Sequence, residues 1–252
     1  MTQIIKNKIK VALIGFGYWG INLARVIKNN SDCTLIAIVD KDETKRNNAK
    51  QHYNDCLIFE DLSEIFDLNN ITTVVVATPV SQHYTIVKEC LKRNIHVLCE
   101  KVLSDNIDQI NELIALAEKH QVILDVDYTF LENSIVKEIK RILDSKQLGG
   151  INYLTFKRTG LGPIRNDVNV IYDLLAHDIS ILIFWLGIPQ WVIATERCIL
   201  NNQKADIAFI QIGFSNNIIV NLQASWLSPL KQRQIEIISE KGMIIFDDTT
   251  PS

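Results

Sequence analysis

What most constrains the fold of this chain is a rhythm of short β-branched runs, each followed by a stretch with helical period. The runs are "IKVALIG" at 9–15, "TLIAIVD" at 34–40, "ITTVVVAT" at 71–78, "IHVLC" at 95–99 and "QVILDV" at 121–126. Nearly continuous apolar strands of this kind suit a parallel sheet covered on both faces, and the intervening helices supply the crossovers that such a sheet needs. Residues 1–126 therefore read as a doubly wound α/β domain of Rossmann type. Beyond that point the rhythm changes. A helix over about 131–145 leads through "LGG" into "INYLTFKR", a loop "TGLGPIRND" and a helix from about Val168 to Leu186. Alternating strands follow from Trp191, among them "DIAFIQIGF", "NIIVNLQASW" and "RQIEIIS", with "NN", "SNN" and "EKG" as turn signals. Helices followed by a meander of strands predict an α+β domain over 127–252 with a largely antiparallel or mixed sheet.

Composition enters through what it excludes. A net charge of −3 with no clustered Lys/Arg tract leaves no electrostatic footprint for nucleic acid or an anionic membrane surface. The five cysteines, Cys33, Cys56, Cys90, Cys99 and Cys198, are odd in number and never spaced as CxxC, so neither a disulfide framework nor a zinc site is indicated. Lys6, Lys8 and Lys10 break any signal-peptide apolar region, and "ISILIFWLGI" from Ile179 is about half the length that a bilayer span needs. The expectation is a cytoplasmic protein with no metal.

"GFGYWG" places Gly15, Gly17 and Gly20 in G-x-G-x-x-G spacing. A predicted strand precedes it, the helical "INLARVIKN" follows, and Asp40 closes the next strand about twenty residues beyond Gly20, as a dinucleotide site requires. Gly15 permits the sharp turn, Gly17 lets the backbone approach a pyrophosphate, and Gly20 allows close helix packing, while the helix N-terminus adds free N–H groups and a positive dipole end. A carboxylate at Asp40 can accept both adenosine ribose hydroxyls and would repel a 2′-phosphate, which favours NAD over NADP. Lys41, Lys45 and Arg46 lie close by, most simply as a solvated helix start.

In an open α/β sheet, ligands bind beyond the carboxyl ends of the strands. "VVVATP" and "VLCEK" both end there, so Thr78, Pro79, Glu100 and Lys101 are expected to line the nicotinamide end of the site. Further on, "DLLAHD" sets Asp173 and His177 at i and i+4 on a predicted helix, on one face. Such a pair alone is as readily a local contact as a catalytic dyad, and no third ligand suggests zinc.

Taken together, "GFGYWG", "VDKDE", "VVVATPVSQHY", "VLCEK" and "DLLAHDIS", in this order and at these separations, resemble the glucose-fructose oxidoreductase/inositol dehydrogenase/MocA family of NAD(P)-dependent oxidoreductases. The resemblance runs from about Lys8 to the end of the chain. It implies that Phe16, Tyr18, Trp19 and His83 belong to the cofactor site with the residues named above. It also implies a catalytic role for Lys101, Asp173 and His177 in exchanging hydride between nicotinamide and a CH–OH or C=O group. His177, of a residue type with an unperturbed pKa of ~6.5, is then the expected proton carrier. Lys101 stabilises charge on the oxygen or shares in the proton transfer. Asp173 orients the imidazole or a substrate hydroxyl. "GLGPIRNDVNVIYDLLAHDIS" and "ASWLSPLKQRQ" are similar to members acting on sugars or nucleotide-linked sugars in surface-polysaccharide pathways. Tyr128, Arg165 and Asn169 become candidate substrate contacts, with Lys231 and Arg233 behind them; Trp226 reads as core or interface.

The chain departs from the family pattern twice. Val102 stands where the family commonly has proline after the lysine, and the chain stops at "FDDTTPS", which implies a second domain shortened at its C-terminus. Two other activities stay open: an NAD-using glycosidase of the same family, which would form no net NADH, and a non-catalytic NAD(H)-binding sensor or decayed paralogue. The family's open-faced sheet implies a homo-oligomer, a dimer or tetramer.

Overall fold

The computed structural model describes residues 8–249, apart from 69, 163, 166 and 201–203. The first seven residues, the "NN" turn at 201–202 and the closing "TPS" lie outside the described residues. The chain divides into two compact units, Met1–Asp127 and Tyr128–Ser252.

The first unit is built on six parallel strands: β1 (Ile9–Ile14), β2 (Cys33–Val39), β3 (Leu57–Phe59), β4 (Thr73–Val76), β5 (His96–Glu100) and β6 (Leu124–Asp127). They lie in the order β3-β2-β1-β4-β5-β6. The apolar runs are continuous because each face of the sheet has its own core. Val11 and Leu13 pack with Ala24 and Ile27 of α1 (Tyr18–Asn29) and Ala49 of α2 (Glu43–His52). Their neighbours Ala12 and Ile14 face the other way, in one core with Ile86, Val87 and Cys90 of α4 (Val80–Leu91) and Leu113 of α5 (Ile107–His120); a single short turn, α3 (Ser63–Phe66), intervenes between β3 and β4. Helix starts follow the local chemistry: the Asp42 carboxylate accepts the N–H groups of Thr44 and Lys45, and the Asn106 side chain accepts those of Asp108 and Gln109. The strand order reverses between β1 and β4, and in a doubly wound sheet that switch point opens a ligand crevice at the carboxyl ends. Edge strand β3, only three residues long, carries too little pattern to be read from the sequence.

The second unit holds a mixed six-stranded sheet in the order β12-β11-β7-β10-β9-β8. Its strands are β7 (Ile151–Thr159), β8 (Trp191–Arg197), β9 (Ile207–Gly213), β10 (Ile219–Ser225), β11 (Gln232–Ser239) and β12 (Gly242–Asp247). β7 and β10 run parallel and the other neighbours antiparallel. Val136 and Ile139 of α6 (Ser134–Asp144) and Ile181, Leu182 and Trp185 of α7 (Ala176–Leu186) share a core with Leu154, Phe156, Leu222, Ile235 and Ile237 of the sheet. The Trp185 indole donates to Val136 O at 3.0 Å and ties the two helices together. The opposite face is open, with Tyr153, Ile193, Phe209, Ile219, Met243 and Ile245 exposed.

The helix expected from Val168 begins differently. A π-helical turn over Ile171–Leu175 precedes α7. Its start is set by Asn169, whose side-chain oxygen accepts Tyr172 N–H at 3.0 Å and whose carbonyl accepts Asp173 N–H at 3.0 Å. Asp173 therefore sits in the π turn and His177 in regular helix. Single π turns recur at functional sites but have no periodicity signature to read in advance.

Candidate active site

The glycine loop follows β1 at the switch point. Gly15 has φ +95°, and a Cβ there would lie 2.5 Å from Ala77 O; a Cβ on Gly20 would overlap the Gly15 carbonyl. These two glycines are demanded by close approach and turn geometry. Around Gly17 a Cβ would meet nothing within 4 Å, so the loop has room where a ligand's phosphates are expected. α1 starts at Gly17 with no side-chain cap and no acidic residue in its first turn, which leaves its leading N–H groups available to an anion.

Asp40 is fixed at the end of β2. Its Oδ2 accepts Phe16 N–H at 2.7 Å and its Oδ1 accepts Asp42 N–H at 2.9 Å, while each oxygen keeps a further acceptor direction for a ribose hydroxyl. Arg46 is a brace and not merely a solvated charge: Nη1 donates to the carbonyls of Asp40 and Lys41, and Nη2 pairs with Glu60 at 2.9 Å. Phe16 lies within the glycine loop. Its ring is buried edge-on against Tyr53, so only its main chain remains for the site. Tyr18 is exposed at the start of α1, and Trp19 hydrogen-bonds Glu100 through its side chain.

Glu100 stands beside Asp127 in the β5–β6 register. Burial, with the Asp127 charge adding to it, pushes its carboxyl up to about 7, against the opposing pull of Lys101 and Trp19. Asp127 is also raised, by burial and then by Asp125. Two buried oxygens here, Glu100 Oε1 and Thr78 Oγ1, make no hydrogen bond within the protein, the kind of orphan that a polar ligand satisfies. Pro79 is exposed at the head of α4. The glycine loop, Asp40 and these orphans together fit a dinucleotide.

The Lys101–Val102 peptide bond is cis. His83 is fully buried, with Nδ1 2.8 Å from Val102 O and Nε2 2.8 Å from Thr78 O. The ring bridges the segments after β4 and β5. Its place in "TPVSQH" gave no hint of this, because the bridge is made to carbonyls distant in sequence.

In the second unit, Asp173 Oδ1 receives Arg165 Nη1 at 3.4 Å and Oδ2 receives the Trp226 indole at 3.2 Å. Arg165 is gripped by Asp167 through Nε at 3.0 Å and Nη2 at 2.7 Å, so its fork, expected to meet a substrate anion, already meets a carboxylate. The His177 ring packs on Phe130 at 5.1 Å, the Arg158 guanidinium lies over Phe130 at 5.1 Å, and Arg158 forms a buried forked pair with Asp178 at 2.7–3.0 Å. Burial raises the Asp178 carboxyl and Arg158 pulls it back. Asn169 sits at the helix start, Tyr128 is half-buried and its hydroxyl pKa raised by burial, Lys231 is exposed, and Arg233 pairs with Asp248 at 3.3 Å. The contacts that Phe130, Arg158, Asp167, Asp178 and Trp226 make here were not legible in the sequence. Asp178 alone left a trace, an acid directly after His177 in an otherwise apolar helix.

A glycine loop at the switch point of a 3-2-1-4-5-6 sheet, followed by a mixed-sheet unit carrying an Asp/His pair, defines a dinucleotide-binding oxidoreductase. Residues 9–128 match the oxidoreductase family with an NAD-binding Rossmann fold and residues 136–245 match the GFO/IDH/MocA C-terminal domain, and the chain belongs to this family of NAD-dependent oxidoreductases. Myo-inositol 2-dehydrogenase of Thermotoga maritima is 23% identical over 252 residues, covering 95% of this chain and 75% of the relative. Two crystal structures share the fold. GenD2 from gentamicin A biosynthesis, in complex with NAD, has a TM-score of 0.89 at 23% identity over 96% of this chain and 72% of its own. The WlbA dehydrogenase of Bordetella pertussis, in complex with NADH and UDP-GlcNAcA, has a TM-score of 0.89 at 19% identity over 96% and 74%. Among the described residues, no helix is long and apolar enough to cross a membrane, and no group of three or more His, Cys, Asp or Glu could hold a metal.

Proposed function

We propose that this chain is an NAD-dependent dehydrogenase for a CH–OH group of a sugar, or for the matching ketone in reverse. The preferred substrate class is a nucleotide-linked sugar, the setting cytoplasmic polysaccharide biosynthesis. The observation that carries the reading is the helix start of the second unit, where a carboxylate held by two donors precedes a histidine by four residues. The relatives support the substrate class: one is named for an inositol, and a structural neighbour binds a UDP-linked sugar acid.

When bound, NAD supplies the hydride acceptor for the carbinol carbon. Every other duty falls to side chains. His177 takes the hydroxyl proton, Asp173 orients its partner groups, and the Lys101 ammonium stabilises negative charge as it develops on oxygen. Asp40 accepts the adenosine ribose hydroxyls, and the first N–H groups of α1 face the pyrophosphate. A substrate anion would meet Lys231 or the N–H groups that Arg165 does not spend on Asp167 and Asp173.

Fluorescence titration with NADH and NADPH in parallel, followed by NAD reduction with a panel of UDP- and free sugars, tests the proposal. Saturable NADH binding at least about tenfold tighter than NADPH, equivalent to ~1.4 kcal/mol, is expected. NADH should then accumulate with at least one nucleotide sugar. Glycosidic cleavage without net NADH would replace the dehydrogenase by the glycosidase, and binding without turnover on any sugar would leave a sensor.

The same proposal includes a homo-oligomer. The open sheet face of the second unit exposes Ile193, Phe209 and Ile219 at staggered positions on β8, β9 and β10, apolar surface that an isologous contact would cover. Analytical ultracentrifugation should give a dimer or tetramer that Phe209→Glu converts to monomer; a wild-type monomer at micromolar concentration would end this part of the reading.

A further inference from the structure

Trp226 directly follows β10 and is 3% exposed. Its main-chain N–H donates to Asp206 O at 3.0 Å, which anchors the residue independently of its side chain. The indole then reaches Asp173 Oδ2 at 3.2 Å. An indole N–H can only donate, and so can the Arg165 guanidinium that faces Oδ1. Both oxygens of Asp173 therefore face groups that cannot accept. The carboxylate's terminal torsion, broad by nature, is held by two fixed points, and both oxygens serve as acceptors.

We propose that Trp226 is a positioning residue for the reaction, acting through Asp173; the inference rests on the reading of Asp173 and His177 as the catalytic pair. With a donor on each oxygen, the carboxylate of Asp173 is held in one orientation, four residues before His177. Trp226 acts through its indole N–H on the aim of Asp173, and its size is secondary. The competing account is that Trp226 only fills the core, with its N–H taking the nearest acceptor.

Trp226→Phe separates the accounts, since the ring remains and the donor goes. Loss of an outer partner that orients a metal-binding side chain typically costs 10–100-fold, and we take the same range for a partner that orients a catalytic carboxylate. We expect kcat to fall by about that factor with the KM for NAD unchanged. A core-filling role predicts kcat within about twofold of wild type. A second readout does not need activity. The chain has four tryptophans, so a 15N–1H spectrum shows their indole signals, and the one lost in Trp226→Phe belongs to Trp226. Asp173→Asn should move that signal. If it stays in place, the contact is not made in solution and the proposal is overturned; unchanged kcat in Trp226→Phe overturns it equally. A wild-type protein that turns over no sugar would defeat the functional reading, while the indole signal still reports on the contact.

Discussion

Replacing His177 with alanine should lower kcat by about 10²–10⁴-fold, the usual contribution of a positioned general base, and leave NADH binding within about twofold. The asymmetry follows from where the groups lie. The glycine loop, Asp40 and the orphaned oxygens of Thr78 and Glu100 all belong to the first unit, built on a core that His177 does not enter. Within the second unit the ring is half-buried and its loss removes the packing against Phe130, worth about 0.5–1.5 kcal/mol of stability. A folded variant with normal cofactor affinity and almost no turnover is therefore the expected result, read by steady-state NADH formation beside a fluorescence titration. Near-normal kcat would move the proton to Lys101. Loss of NADH binding would mean that the substitution had disturbed more than one unit.

The sequence made the first unit legible because each of its features is local. Gly15, Gly17 and Gly20 sit within six residues of one another, and Asp40 lies one crossover away, so strand, loop and helix could be placed before any long-range contact was known. The four-residue spacing of Asp173 and His177 at a helix start could be read for the same reason, although the π turn beneath Asp173 could not. What stayed hidden depends on contacts across long separations. His83 bridges to a carbonyl nineteen residues on, Trp226 reaches back fifty-three residues to Asp173, and Arg158 closes on Asp178 across twenty. An arginine at an inward strand position, or a tryptophan just past a strand end, looks the same in sequence whether it only fills a core or also meets a carboxylate. The direction of the Phe16 ring was hidden as well. Its position within the glycine loop suggested the ligand, but its side chain points into the hydrophobic core.

Arg158→Ala should cost about 3–5 kcal/mol of stability near neutral pH, the range expected when one partner of a buried ion pair is removed. Arg158 and Asp178 are 6% and 2% exposed, and the guanidinium fork meets both carboxylate oxygens, so its removal leaves Asp178 charged with no water to take over. The sign of the pH dependence follows. Burial already raises the Asp178 carboxyl, and removing Arg158 takes away the largest opposing influence. The folded variant therefore binds a proton at pH values where the unfolded chain has released it, and its stability falls as pH rises above the ordinary carboxylate range, near 3.9, through the raised value. Urea unfolding at pH 5 and pH 8 should show the smaller deficit at the lower pH, where Asp178 can neutralise itself. Replacing both partners with apolar residues of similar volume, Arg158→Met with Asp178→Leu, should recover most of the loss. A deficit under about 1 kcal/mol that does not change with pH would show that the pair is solvated in the folded protein. Recovered stability need not bring recovered turnover. The guanidinium also lies over Phe130, which backs the His177 ring, and methionine supplies volume there but no planar charge. A double variant that is stable yet slow would assign the pair to aiming His177, and one that is stable and fully active would confine it to holding α7 on the sheet.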